Sequence, residues 1–374
     1  MTEIPDSIEE ITVEWLKSEL TNTGTELLLN KIKEAGPLTA IEIDKSGMET
    51  QHLGEVRFIV LHFSDGTESK AVVKIQRGDK RVQAMGATMQ LFSREHDFYK
   101  NIQAQLKDLK TPNCYLNLIS ASKDKAILVL EDLRPAIVVR ISENEGISAD
   151  QARLAVLKLA RLHNTFFHNF PQNTELLSPE SPIYQKTFAE NFPGLLQHFL
   201  KLRNYSEELK DFEGFLMKVS ENIKSYFIDF VSGPPSVIHG DYKSENIFFP
   251  NHQGEGEFAL VDWQTYIKTG PLGCCAELIQ FIYQTLPIPL RREIEKELIT
   301  IYYETSDVVK TTFTTLELFV ETVNKAVFWP LVMLTFAGVS AYAQAIQGEE
   351  SPAKKRFEIQ EQRYITALRD NKLI

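Results

Sequence analysis

The sequence predicts an α+β fold in two lobes, a small antiparallel β-sheet followed by a mostly helical part. Three observations predict it. Residues 38–75 fall into short strand-type runs of apolar and β-branched residues broken by turn residues. Beyond residue 134, apolar positions recur at helical spacing almost to the end of the chain. Within that helical part, 237–263 (VIHGDYKSENIFFPNHQGEGEFALVDW) reverts to two strand-type runs around a polar, Gly-containing turn and reads as a hairpin. A length of 374 residues is enough for two lobes and a sizeable core.

In chain order, residues 5–22 read as a helix, with Ser7 as its cap, Glu9 and Glu10 in its first turn, and Ile8, Ile11, Trp15 and Leu16 at helical spacing. A second helix, 26–35, stops at Gly36-Pro37. This segment, 1–36, carries no evident chemistry and is expected to pack outside the lobe that follows. Strands 38–44 and 55–63 are joined across a loop, and a turn at Ser64-Asp65-Gly66-Thr67 leads to a third strand, 69–75. After a basic stretch with Arg77, Lys80 and Arg81 comes a helix over 88–105, and strands 112–118 and 125–130 complete the sheet. The first lobe is therefore 37–133 and the second 134–374. The second opens on an amphipathic helix, 148–167, with Ala152, Ala155, Val156, Leu159, Ala160 and Leu162 as its apolar stripe. A polar loop over 168–185 and an aromatic-rich helical region over 184–230 precede the hairpin. Residues 288–374 read as helices with charged linkers and an ordinary polar tail.

The net charge of −11, with no basic domain, argues against a nucleic-acid partner. Cys114 and the adjacent Cys274-Cys275 match neither a disulfide framework nor a zinc spacing, which suits a reducing compartment. The acidic start MTEIPDSIEE lacks a secretory leader's basic and apolar regions. Residues 326–348 are uncharged and long enough to span a bilayer. Pro330, Gly338 and several small polar residues make a buried helix pair, broken near Pro330, the preferred reading. A cytoplasmic protein with no membrane partner is expected.

The chemistry lies in the hairpin. Asp241 and Asn246 fall on the loop before its first strand and Asp262 at the end of its second, so three oxygen-bearing side chains share one end. Phosphoryl transfer needs such a set. One carboxylate positions the acceptor hydroxyl and takes its proton, while an amide oxygen and a second carboxylate hold Mg²⁺ against nucleotide phosphates. His239-Gly240-Asp241 with Asn246 keeps the H-R-D-x-x-x-x-N spacing of protein kinases, and Asp262-Trp263 stands where they have D-F-G. The HGD form with D-W resembles the aminoglycoside phosphotransferase and choline kinase families. Ile11-Thr12-Val13-Glu14-Trp15-Leu16, the Arg94-Glu95 to Phe98-Tyr99 helix and Leu128-Val129-Leu130-Glu131-Asp132-Leu133 resemble the ecdysteroid-kinase-like group. Leu159-Ala160-Arg161-Leu162-His163 is similar to a signature of these phosphotransferases, with His163 as a structural hydrogen-bonding residue. The resemblance runs from about residue 40 to about residue 290.

It implies a protein-kinase-like two-lobed fold and an ATP- and Mg²⁺-dependent kinase acting on a hydroxylated small molecule. Lys74, in Ala71-Val72-Val73-Lys74-Ile75, would neutralise the α- and β-phosphates, held by Glu95, with Asp97 as a competing carboxylate. Glu131 and Leu133 would bind adenine through main chain, in the linker between lobes. Asp241 would be the catalytic residue, and Asn246 and Asp262 the metal ligands. Lys243 either touches the γ-phosphate or lies in solvent. The cover loop, 46–54, has Gly47 and Gly54 but not G-x-G-x-x-G. Glu277 replaces the usual Asp in the segment after Gly270-Pro271, where a longer side chain could shift the loop it supports. These two departures favour the competing class, a nucleotide-binding pseudokinase or regulatory module without turnover. A protein kinase fits less well, because no D-F-G to A-P-E segment is found. The acceptor stays open among amino alcohols, sterols, sugars and antibiotics, and the oligomeric state is unknown.

Overall fold

The computed structural model describes residues 4–50, 54–76, 80–142, 146–171, 176–345 and 351–374. The chain forms two compact units. One comprises Met1–Ile137 with Pro250–Thr265, the other Val138–Phe249 with Tyr266–Ile374.

The first unit is built on a five-stranded antiparallel sheet. Its strands are β1 (Leu38–Thr50), β2 (Gly54–Phe63), β3 (Glu68–Gln76), β4 (Cys114–Ile119) and β5 (Ala126–Glu131), in the order β1-β2-β3-β5-β4. Helices α1 (Val13–Thr23) and α2 (Glu26–Ala35) precede it. The cap of α1 is Thr12, whose Oγ1 accepts the Trp15 N–H at 3.1 Å, so the helix begins well after Ser7. These helices are part of the sheet's own core. Leu16, Leu20 and Leu28 are buried in one cluster with Ile41, Ile59, Leu61, Ala71, Val73, Ile75, Ile127 and Val129. Side chains alternate across a strand, so with Val73 and Ile75 facing α1 and α2, Lys74 points to the opposite face.

The cover segment is more strand than loop. β1 runs on to Thr50 and pairs Met48, Glu49 and Thr50 with Arg57, Val56 and Glu55, after an irregularity between Ile43 and Met48. Gln51 to Leu53 lie outside the described residues, as do Arg77 to Asp79 of the basic stretch. The expected single helix over 88–105 is divided. Helix α3 (Lys80–Thr88) ends before Gln90, which has φ +55°, and α4 (Leu91–Asp97) passes directly into a single π turn, Phe98–Ile102. A left-handed residue interrupts a right-handed helix, and apolar periodicity does not register it.

In the second unit, α5 (Ala149–His168) starts with a capping box between Ser148 and Gln151. It buries the predicted stripe together with His163 and Phe166. Strands Ser236–Ile238 and Ile267–Thr269 pair antiparallel, and the Pro271–Thr285 helix behind them is buried almost throughout. Among the described residues one stretch, Leu316–Tyr342, is long and apolar enough to cross a membrane. It is two helices, Leu316–Ala326 and Phe328–Ala345, with Val323, Ala326, Phe328, Trp329 and Leu331 buried. Pro330 sits in the first turn of the second helix, where its missing N–H costs nothing. The predicted polar tail is instead a helix, Pro352–Asp370, with Phe357, Arg363, Tyr364, Ile365 and Leu368 buried.

Candidate active site

In the first unit, Lys74 is the centre. Its Nζ donates to Glu95 Oε1 at 2.8 Å and to Asp262 Oδ1 at 2.6 Å. Burial alone would favour the neutral amine. Asp262 and Glu95 reverse this, raising the pKa above the ordinary 10.5 and holding an ammonium. Glu95 is the buried partner on α4; the competing Asp97 accepts from Asn101 at the surface. Burial pushes the Glu95 carboxyl up, against the pull of Lys74.

Asp262 has φ +68°, a left-handed conformation that costs a non-glycine residue energy. The residues after it hold it there. Trp263 is fully buried and stacks on Phe98 of the π turn, with centroids 3.9 Å apart and planes at 6°. Gln264 Nε2 donates to Glu95 Oε2 at 3.1 Å. These contacts, with a bridge between Lys110 and Ala259, join 250–265 to the sheet unit. Gly54 permits the cover strands to approach: a Cβ there would lie 2.9 Å from the Ile75 carbonyl oxygen.

The linker residues separate by role. The Glu131 N–H donates to the Asn113 carbonyl at 2.8 Å, and its carboxylate takes Lys110 Nζ at 2.8 Å and the Asn113 N–H at 3.0 Å. The Glu131 side chain thus ties β5 to the residues before β4. The Leu133 carbonyl accepts from Ala136, while its N–H has no partner among the described residues.

In the second unit, Asp241 Oδ2 accepts from Lys243 Nζ at 2.7 Å and Asn246 Nδ2 at 2.9 Å. Lys243 is therefore neither loose in solvent nor independent of the aspartate. Asn246 Nδ2 also donates to the Asp241 carbonyl at 2.9 Å. This fixes the amide orientation and leaves its oxygen, like Asp241 Oδ1, without a partner among the described residues. Gly240 has φ +84°, which only glycine adopts without strain. Tyr242, fully buried, donates its hydroxyl to the Ala155 carbonyl at 2.8 Å and pins the loop to α5.

Glu277 supports this loop directly. Oε2 accepts the His239 N–H at 3.0 Å, and Oε1 accepts the Gly240 N–H. His163 Nε2 donates to Oε2 at 2.9 Å, and its Nδ1 lies 2.6 Å from the Tyr302 hydroxyl. Burial would favour a neutral ring at His163, but Cys274 and Glu277 raise its pKa from 6.5 to about 10. The longer carboxylate therefore reaches the loop amides, and His163 is the structural hydrogen-bonding residue expected.

Sequence reasoning missed Gln264 and the C-terminal helix. Arg356 pairs with Glu245 at 3.3 Å, and buried Arg363 donates to the carbonyls of Gln284, Thr285 and Ser142. Burial lowers the Arg363 pKa to about 10. Burial, then the charge of Asp241, raises the Tyr364 phenol. The spacing of charged and apolar residues over 352–370 marks an amphipathic helix, which was the available signal.

As for donor chemistry, the Asp262 carboxylate and the Asn246 amide oxygen are each a hard oxygen donor, the ligand type that Mg²⁺ takes.

Comparison with curated proteins finds no match. Among solved structures, the chain is similar to a candidate aminoglycoside phosphotransferase from Ralstonia eutropha at 10% identity and TM-score 0.49, covering 90% of this chain and 98% of that one. It is similar to a microcompartment-associated aminopropanol kinase at 12% identity and TM-score 0.44, covering 92% and 98%. An amicoumacin kinase solved with AMP-PNP and Ca²⁺ matches at 13% identity and TM-score 0.41, covering 90% and 93%. The model of the ecdysteroid kinase-like family matches residues 59–310. With that match spanning most of its length, a small antiparallel sheet ahead of a mostly helical part, and the H-G-D-x-x-x-x-N loop, the chain belongs to the ecdysteroid kinase-like family.

Proposed function

We propose that this chain is a small-molecule kinase, an ATP-dependent phosphotransferase that moves the γ-phosphate of ATP to a hydroxyl group with the help of Mg²⁺. The observation that carries the reading is the Lys74 ammonium, held by buried Glu95 and by Asp262, which lies 188 residues away in sequence. A lysine, a helix-borne glutamate and an aspartate in a strained conformation form the apparatus that steadies nucleotide phosphates. When bound, Mg²⁺ neutralises charge on the phosphoryl group.

The chain's own residues do the rest. Lys74 binds the α- and β-phosphates, and Asp262 and Asn246 offer oxygens to the metal. The Leu133 N–H donates to adenine; Glu131, whose own N–H is engaged, offers its carbonyl. Lys243 and Asn246 orient the Asp241 carboxylate through Oδ2. Asp241 Oδ1 is then the oxygen that aligns the acceptor hydroxyl and receives its proton, so positioning and charge neutralisation supply most of the rate. The pseudokinase alternative loses a principal support, because Glu277 does reach the loop amides.

The test is ATP consumption with Mg²⁺ over a panel of amino alcohols, sterols, sugars and aminoglycosides, run beside Asp241→Asn. Acceptor-dependent turnover should fall by roughly 10²–10⁴-fold in the variant while nucleotide affinity holds. Equal turnover in both proteins would sink the assignment of Asp241.

A further inference from the structure

We propose that Gln264 is a positioning residue for the Lys74–Glu95 pair, fixing the Glu95 carboxylate so that the lysine ammonium is presented to nucleotide phosphates. The inference rests on the phosphotransferase reading above.

Glu95 is buried, and a buried carboxylate needs donors on both oxygens. Oε1 is used by Lys74 at 2.8 Å and Oε2 by Gln264 Nε2 at 3.1 Å. Gln264 is itself only 6% exposed. Packing by itself does not fix the carboxylate, because a small cavity adjoins it, lined also by Phe92, Ala126 and Leu128. The amide closes a ring. Gln264 follows Asp262 by two residues, and Asp262 Oδ1 takes the same ammonium at 2.6 Å. Trp263, between them, is locked against Phe98, which directly follows the helix carrying Glu95. Both carboxylates that hold Lys74 are therefore set by one three-residue turn, Trp263–Thr265, and the residue before it. A neutral donor suits the position. A cation there would compete with Lys74 for Glu95, and a carboxylate would repel it.

The experiment measures dissociation constants of Mg·AMP-PNP and of adenosine for wild type, Gln264→Met and Gln264→Glu, with thermal melts to establish that each is folded. Gln264→Met should bind Mg·AMP-PNP about tenfold more weakly, the worth of a hydrogen bond to a charged group, and adenosine as before. Gln264→Glu, which removes the donor and sets a second carboxyl group against Glu95, should bind Mg·AMP-PNP at least as weakly as Gln264→Met and adenosine as before. Equal losses for adenosine and Mg·AMP-PNP, or no loss at all, would overturn the role of Gln264. Wild type failing to bind Mg·AMP-PNP would overturn the phosphotransferase reading, and this inference with it. Binding by wild type with unmoved variants would overturn this inference alone.

Discussion

The Lys74 cluster and the Asp241 loop hold their functional groups by different means. Around Lys74, side chains hold side chains: one buried ammonium and one amide satisfy two carboxylates that come from distant parts of the sequence. Around Asp241, a buried side chain holds the backbone. Glu277 takes two consecutive loop N–H groups, and the loop then presents Asp241 and Asn246. A side-chain cluster depends on charge balance and is sensitive to any change in it. A loop held by its backbone depends on one acceptor, and its sequence can vary if that acceptor stays.

The comparison is broken most severely at Glu277. Replacing it with Ala strands buried His163 and two loop amides, so unfolding stability should fall by about 3–5 kcal/mol. Urea denaturation with an unchanged slope and a lower midpoint would show this, and a midpoint within error of wild type would remove Glu277 from its supporting role. Lys74→Met comes next. It leaves Glu95 and the part-exposed Asp262 without their shared cation, at about 2 kcal/mol, since part of the loss can be relieved by protonation. The same variant should lose Mg·AMP-PNP binding while retaining adenosine, measurable by calorimetry.

The gentlest probe is pH. The folded pKa of His163, about 10, lies above its ordinary 6.5, so the folded state carries the extra proton between those values. The stability from this pair is complete below about pH 6.5 and is lost as pH rises toward about 10. Denaturation midpoints of wild type should therefore fall across pH 6.5–9.5 more steeply than those of His163→Gln. Parallel curves would show that His163 is neutral in the folded protein.

Much of this was legible in advance, for identifiable reasons. Strand and helix periods are properties of neighbouring residues, so the sheet and the helix over 148–167 were readable from apolar spacing. Lys74 was readable because a lysine between Val73 and Ile75 must face away from the apolar side of its strand. The spacing from His239 to Asn246 is likewise a local property, since both residues lie on one loop. The division of the 88–105 helix was not readable, because it depends on one left-handed residue, Gln90. The helix that carries Arg356, Arg363 and Tyr364 was legible only as an amphipathic spacing over 352–370; what its buried face meets depends on partners distant in sequence.

By itself, then, the sequence determined the order of elements, the H-G-D-x-x-x-x-N loop, the candidate lysine and the spacing of Asn246 and Asp262, all through patterns within short windows. Tertiary structure alone decided that 250–265 joins the sheet unit, that Gln264 completes the Glu95 carboxylate, and that Glu277 reaches the amides of His239 and Gly240. The physical reason is common to all three. Each contact joins groups 37 to 169 residues apart, and burial makes each obligatory because an unpaired polar group away from water is costly.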